Sequence, residues 1–125
     1  MRRDRKRAGV ILCYNNKVLL VLGKVSNKWS FPKGELMENE SFMEGAIREL
    51  YEETGIVIDT ETLENAEQII TEYTTYFKVN LEEMGFLPNP KIIDKKEIKR
   101  CKFVNIYHLN NLNVNHDIRF VMNMA

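Results

Sequence analysis

Cysteine, histidine and proline are scarce in this chain, with two, two and three residues among 125. Cys13 and Cys101 alone cannot build a disulfide framework or supply a four-ligand zinc site. They read as reduced thiols packed in apolar strands, and a cytoplasmic location is the matching expectation. His108 and His116 have no metal-ligand spacing and read as structural. No apolar run approaches the roughly 18 residues that a membrane span needs. The basic start Arg2-Arg3-Asp4-Arg5-Lys6-Arg7 is not followed by an apolar segment ending in a small-residue cleavage site. Neither a membrane partner nor a secretory signal is therefore expected. Net charge is also missing: 18 Lys+Arg balance 18 Asp+Glu, which argues against a general nucleic-acid coat protein. There is no internal repeat and no low-complexity segment.

What is present suits one soluble domain. Hydrophobic residues make up 44 % of the chain, and a chain of this length buries about two thirds of its unfolded surface. The charge is unevenly spread. A basic segment over residues 1–7 reads as a tail, mobile and outside the domain of residues 8–125. Glu35 to Glu67 is acidic and Lys91 to Lys102 basic again. An acidic centre between basic flanks is the layout of a metal site beside a polyanion site; a solvated charged helix gives the same pattern.

Ala8–Tyr14 and Val18–Leu22 are apolar runs that read as paired strands, turning at Asn15-Asn16. Their near-continuous apolarity predicts a sheet covered on both faces. Trp29 to Gly34 is a short extended piece. The clearest helix spans Phe42 to Thr54. Ser41 and Glu44 have capping-box spacing, Met43, Ala46, Ile47, Leu50 and Thr54 form the buried stripe, and Gly55 ends it. Further strands are predicted over Ile56–Ile58, Ala66–Ile70, Thr71–Asn80 and Cys101–Ile106, with a loop over Leu81–Lys91 that holds Gly85, Pro88 and Pro90. A last helix is predicted over His116–Met124, capped by Asn115. These elements predict a mixed sheet sandwiched between helices.

Glu49, Glu52 and Glu53 stand at i, i+3 and i+4 on the long helix and share one face. Like charges at this spacing repel by a few tenths of a kcal/mol per pair. Glu52 and Glu53 also sit in the last turn, where the helix dipole disfavours anions. A divalent cation would reverse both penalties, and Mg²⁺ favours such hard oxygen ligands together with waters and a substrate phosphate. An exposed acidic helix face is the alternative. Arg48 lies four residues from both Glu44 and Glu52 and can pair with either.

From Gly34 the chain runs five residues to Glu40, seven more to Arg48, then Glu49-Leu50-Tyr51-Glu52-Glu53-Thr54-Gly55-Ile56. This resembles, without departure, the signature of the Nudix hydrolases, G-x5-E-x7-R-E-U-x-E-E-x-G-U, where U is aliphatic. Trp29, Pro32 and Gly34 are similar to the family's W-x-x-P-x-G approach to that motif. Glu97-Ile98, Phe103 and Leu109 resemble its late E-[IV]-x4-[WF]-x5-L stretch. The resemblance implies an α/β/α sandwich with a mixed β-sheet and hydrolysis of a diphosphate linkage with Mg²⁺ or Mn²⁺. Carried over by position, it places the metal on Glu49, Glu52 and Glu53, assisted by the Gly34 carbonyl. Glu40 would support the metal waters or Arg48. The base would be a motif glutamate such as Glu49 or Glu52, or the loop residue Glu97.

The Pro-Lys-Gly form around Lys33 is similar to Nudix members that act on diadenosine polyphosphates, diphosphoinositol polyphosphates and mRNA caps. A nucleoside or dinucleoside polyphosphate is the leading substrate class. Capped RNA is the alternative, with RNA then a partner. The short stretch after the Cys101–Ile106 strand weighs against decapping. A non-catalytic nucleotide- or RNA-binding module would have lost motif glutamates that this chain retains. Lys33 suits an anionic chain. Trp29 is a candidate for stacking on a base, and Tyr76 shares that reading, with packing as the competing role for both.

Overall fold

The structure, a computed structural model, describes residues 6–84 and 87–124. The expected basic run at Arg2, Arg3 and Arg5 and the loop glycine Gly85 lie outside them. Strands β1 (Arg7–Tyr14) and β2 (Lys17–Gly23) form the hairpin expected from sequence. Its turn places Asn15 at φ 54°, a conformation asparagine tolerates better than most residues. β1 is the centre of a mixed sheet. It runs antiparallel to β2 and to β4 (Lys33–Glu35), and parallel to β6 (Thr74–Asn80). β2 also pairs with β3 (Trp29–Ser30) and β7 (Ile98–Asn105), and β5 (Glu67–Ile70) borders β6.

Both faces of the sheet are covered, which explains the unbroken apolar runs in β1 and β2. Val10, Leu12 and Leu19 pack with Ala46 and Leu50 of helix α1 (Phe42–Thr54) and with Leu63 of a short helix α2 (Thr60–Glu64). The alternate residues Ile11, Val18 and Leu20 pack with Phe31, Leu109 and Ile118, the last on helix α3 (His116–Val121). This is the predicted α/β/α arrangement.

α1 begins and ends as its sequence dictates. Ser41 Oγ accepts from the Glu44 amide at 3.0 Å, and Glu44 Oε1 accepts from the Ser41 amide at 2.9 Å. Gly55 takes φ 72°, and its N–H donates to the Tyr51 carbonyl; a side chain there would be strained.

Several boundaries differ from the sequence reading. Ile56–Ile58 is not a strand. Ile56 and Ile58 point into the α1 core and Val57 outward, so the segment alternates as a strand does while pairing with no strand among the described residues. Helix α2 was not anticipated, although Asp59 caps it by accepting from the Thr62 amide at 2.9 Å and the Thr62 hydroxyl at 2.7 Å. β6 starts at Thr74, because Thr71 turns back to donate its N–H to the Thr74 carbonyl. β7 starts at Ile98, so polar Lys99 and Arg100 belong to the strand; Ile98 and Arg100 pair with Gly23 and Leu22 of β2, and Lys99 falls at the register shift between them. Leu81–Met84 forms a 3₁₀ turn inside the predicted loop, and α3 ends at Val121. Most consequentially, Arg7 is the first residue of β1, paired with Glu35 and Thr74, and not part of a tail.

Candidate active site

The α1–β4 crossing builds the site. β4 brings the Gly34 backbone against α1, and a Cβ at Gly34 would overlap the Glu49 carboxyl group. Only glycine lets that carboxylate lie on the strand. One turn further, Glu53 is 8 % exposed and its Oε1 accepts from the Lys33 amide at 3.2 Å. Burial, reinforced by the negative charge of Glu49, pushes the Glu53 carboxyl up to about 8; the Lys33 amide and ammonium act the other way. Burial likewise raises Glu49, against the pull of Arg48. Glu52 is the most solvated of the three, with a side chain 37 % exposed.

Arg48 organises this acidic face. Its Nε and Nη2 grip both oxygens of Glu40, at 2.8 and 3.0 Å. Nη1 reaches Glu49 Oε2 at 3.0 Å and Glu52 Oε1 at 3.2 Å, and Nη2 also donates to the Glu35 carbonyl at 2.9 Å. A guanidinium has five N–H donors, and these contacts use them all. The arginine in turn holds the Glu40 carboxyl below the usual carboxylate range. Both Glu40 oxygens are taken, so Glu40 serves Arg48, the second of its two expected roles; direct metal ligation is not what this geometry favours.

The loop carrying Glu97 docks on the C-terminal end of α1. The amides of Lys91, Ile93 and Asp94 donate to the carbonyls of Thr54, Glu52 and Glu52, carbonyls a helix end leaves unpaired. Asp94 Oδ1 accepts from the amides of Lys96 and Glu97 at 3.0 and 3.3 Å, and the Asp94 carbonyl accepts from Ile98. Glu97 thereby faces the motif glutamates across an open cleft of about 630 Å³, whose lining includes Arg7, Lys33, Gly34, Glu49, Glu53 and Glu97.

The donor set suits a hard divalent cation. Arg48 uses one oxygen of Glu49 and one of Glu52, and Lys33 uses one of Glu53, leaving each carboxyl group a second oxygen. Among the described residues no three acidic, histidine or cysteine side chains form a preassembled cage.

Two expected substrate contacts are built into the core instead. Tyr76 is 0 % exposed; its ring meets Phe31 edge-on at 5.3 Å and its hydroxyl bonds the carboxylate of Asp117 on α3. Trp29 is 7 % exposed, pinned by backbone bonds to Asn113 and Asn115, with the Lys102 ammonium 5.2 Å over its ring. A base has no open face on either ring. Apolar neighbours made both roles plausible; the alternation of β6 toward the α3 layer decides for Tyr76. Arg7, read from sequence as part of a tail, lines the cleft, and Asp94 was not singled out. Asp94 had a signal, since aspartate two and three residues before amides is the Asx-turn pattern.

A family model described as NUDIX domain matches residues 3–123. Nudix hydrolase 8 of Arabidopsis thaliana is 32 % identical over 106 residues, covering 77 % of this chain and 28 % of that protein. mRNA decapping complex subunit 2 of Schizosaccharomyces pombe is 55 % identical over 38 residues, covering 30 % of this chain and 5 % of its own length. The chain thus spans under a third of either relative. Among solved structures, the Ap4A hydrolase binary complex of C. elegans superposes with a TM-score of 0.70 at 20 % identity, covering 94 % of this chain and 93 % of that one. Among the described residues no helix is long and apolar enough to cross a membrane. With its motif folded into one acidic cleft and its sequence matched nearly from end to end, this chain belongs to the Nudix family.

Proposed function

We propose that the cleft hydrolyses a diphosphate linkage in a nucleoside or dinucleoside polyphosphate, with Mg²⁺ or Mn²⁺ held by Glu49, Glu52 and Glu53 and the Gly34 carbonyl. The observation that carries this reading is the burial of Glu53 beside Glu49. Two carboxyl groups forced together without a cation between them destabilise a fold, so the arrangement makes sense as a cation site. Such a cation, when bound, supplies charge neutralisation at the phosphate oxygens and a water of lowered pKa.

The chain's own groups do the rest. Arg48 holds Glu49, which lines the cleft, and Glu52 beside it. The Lys33 ammonium attracts the substrate's anionic chain. Glu97, tethered through Asp94, accepts the proton of the attacking water, and its carboxylate relays that proton to solvent. The C. elegans neighbour is by name an Ap4A hydrolase, which supports a dinucleoside polyphosphate. The high local identity to a decapping subunit favours a second reading, hydrolysis at a capped RNA 5′ end. Turnover of diadenosine tetraphosphate, capped RNA and a diphosphoinositol polyphosphate, each in Mg²⁺ and in Mn²⁺ with products separated by chromatography, tests both. Fastest cleavage of diadenosine tetraphosphate is expected; turnover confined to capped RNA would transfer the assignment to the second reading.

A further inference from the structure

The two arginines near the cleft differ in one respect. Arg48 has every donor engaged. Arg7 lies in the cleft wall with its guanidinium 3.7 Å from Glu35 Oε2, too long for a hydrogen bond, and its side chain is 37 % exposed. Strand register fixes where that guanidinium starts. Arg7 pairs with Glu35 and Gly9 with Lys33, and alternate residues share a face. A Cβ on Gly9 would meet the Lys33 Cβ, so Arg7 and Lys33 leave the sheet on one side. They are two positions apart, roughly 7 Å along the strand. The pair forms a short row of cations along the cleft wall, with Lys33 at the Glu53 end and Arg7 at the Glu35 end, and the arginine end still has fork donors to give.

We propose that Arg7 grips a phosphate beyond the diphosphate being cleaved, and so selects substrates carrying three or more linked phosphates. This rests on the reading of the cleft as a diphosphate-cleaving site. A planar guanidinium matches phosphate oxygens bidentately, whereas the solvated carboxylate of Glu35 is a weak competitor. A substrate with only two phosphates, both engaged at the carboxylates and Lys33, places nothing anionic at Arg7.

Calorimetric binding in Mg²⁺ of ADP and ATP analogues, with every bridging oxygen replaced by methylene, reads this without turnover. Arg7→Ala should weaken the triphosphate analogue about 10-fold, the scale of one charge-assisted contact, and the diphosphate analogue less than 2-fold. Arg7→Lys should recover part of the loss, since charge returns without the fork. Circular dichroism on each variant confirms the fold, to which an exposed ion pair contributes little. Equal weakening of both analogues, no weakening of either, or failure of the wild type to prefer the triphosphate would overturn the role of Arg7. Wild-type binding with this preference but no hydrolysis of diadenosine tetraphosphate or ATP would instead remove the reading of the cleft as an active site.

Discussion

The amide of Asp94 donates to the carbonyl oxygen of Glu52 at 2.7 Å, joining the loop that carries Glu97 to the helix turn that carries two of the three glutamates proposed to hold the metal. The same aspartate's Oδ1 accepts from the amides of Lys96 and Glu97. The proposed base is therefore positioned relative to α1 by one residue, through a backbone bond on one side and a side-chain turn on the other.

Asp94→Ala removes the turn and keeps the backbone bond. Small misplacements of a base lower rates steeply, so kcat should fall about 10-fold with KM nearly unchanged, while Asp94→Asn, which retains an acceptor oxygen, should stay within about 3-fold. Glu97→Gln should cost more, about 10²–10⁴ in kcat. Steady-state kinetics of the three variants decide the matter. A Glu97→Gln rate near wild type would return the base to Glu49 or Glu52.

Arg48→Lys should destabilise the protein by about 1–3 kcal/mol, because an ammonium cannot satisfy Glu40, Glu49, Glu52 and the Glu35 carbonyl at once. Urea unfolding at pH 7 measures it. Stability equal to wild type would show that the five-donor network is dispensable.

Glu53 titrates at about 8 in the metal-free fold, against roughly 4.3 in an unfolded chain. Between those values the folded state holds a proton that the unfolded state has lost, so metal-free stability should fall as pH rises from about 4.5 to 8 and level off above. Burial of Glu49 acts in the same direction. Glu40, lowered by Arg48, acts oppositely: its contribution is lost as pH drops below the usual carboxylate range. Scanning calorimetry in chelator should show Glu53→Gln flattening the neutral-range slope and raising Tm at pH 8. A wild-type slope retained in Glu53→Gln would refute the assignment of that proton.

Removing residues 2–5 should leave kcat for a dinucleoside polyphosphate within about 2-fold, since Lys6 and Arg7 are tied to Leu36 and Tyr73 by backbone bonds and remain. Loss of turnover on deletion would place the basic run in the site.

The long helix, its caps and the carboxylate face were legible because each depends on local spacing: Ser41 with Glu44, Gly55, and Glu49 with Glu52 and Glu53. Features set by non-local pairing were not. Arg7 reads as a tail residue until β4 and β6 arrive on either side of it, and Arg100 reads as loop until β2 pairs with it. Tyr76 and Trp29 carry the same aromatic signal whether they face a ligand or a core, and only the opposite layer, with Asp117 and Asn113, separates the cases. The burial of Glu53 is equally invisible in sequence, since the groups that surround it include Lys33, Tyr76 and Cys101, on strands distant from α1 along the chain.

Hydrolysis of diadenosine tetraphosphate by wild type and Glu53→Gln, in Mg²⁺ and in chelator with products identified by chromatography, bears most directly on the role of the buried carboxylate pair. Wild type should release nucleotide products in Mg²⁺ and none in chelator, and folded Glu53→Gln should lose about 100-fold or more in kcat. Turnover in chelator, or a Glu53→Gln rate equal to wild type in Mg²⁺, would contradict a metal-dependent hydrolase centred on Glu53.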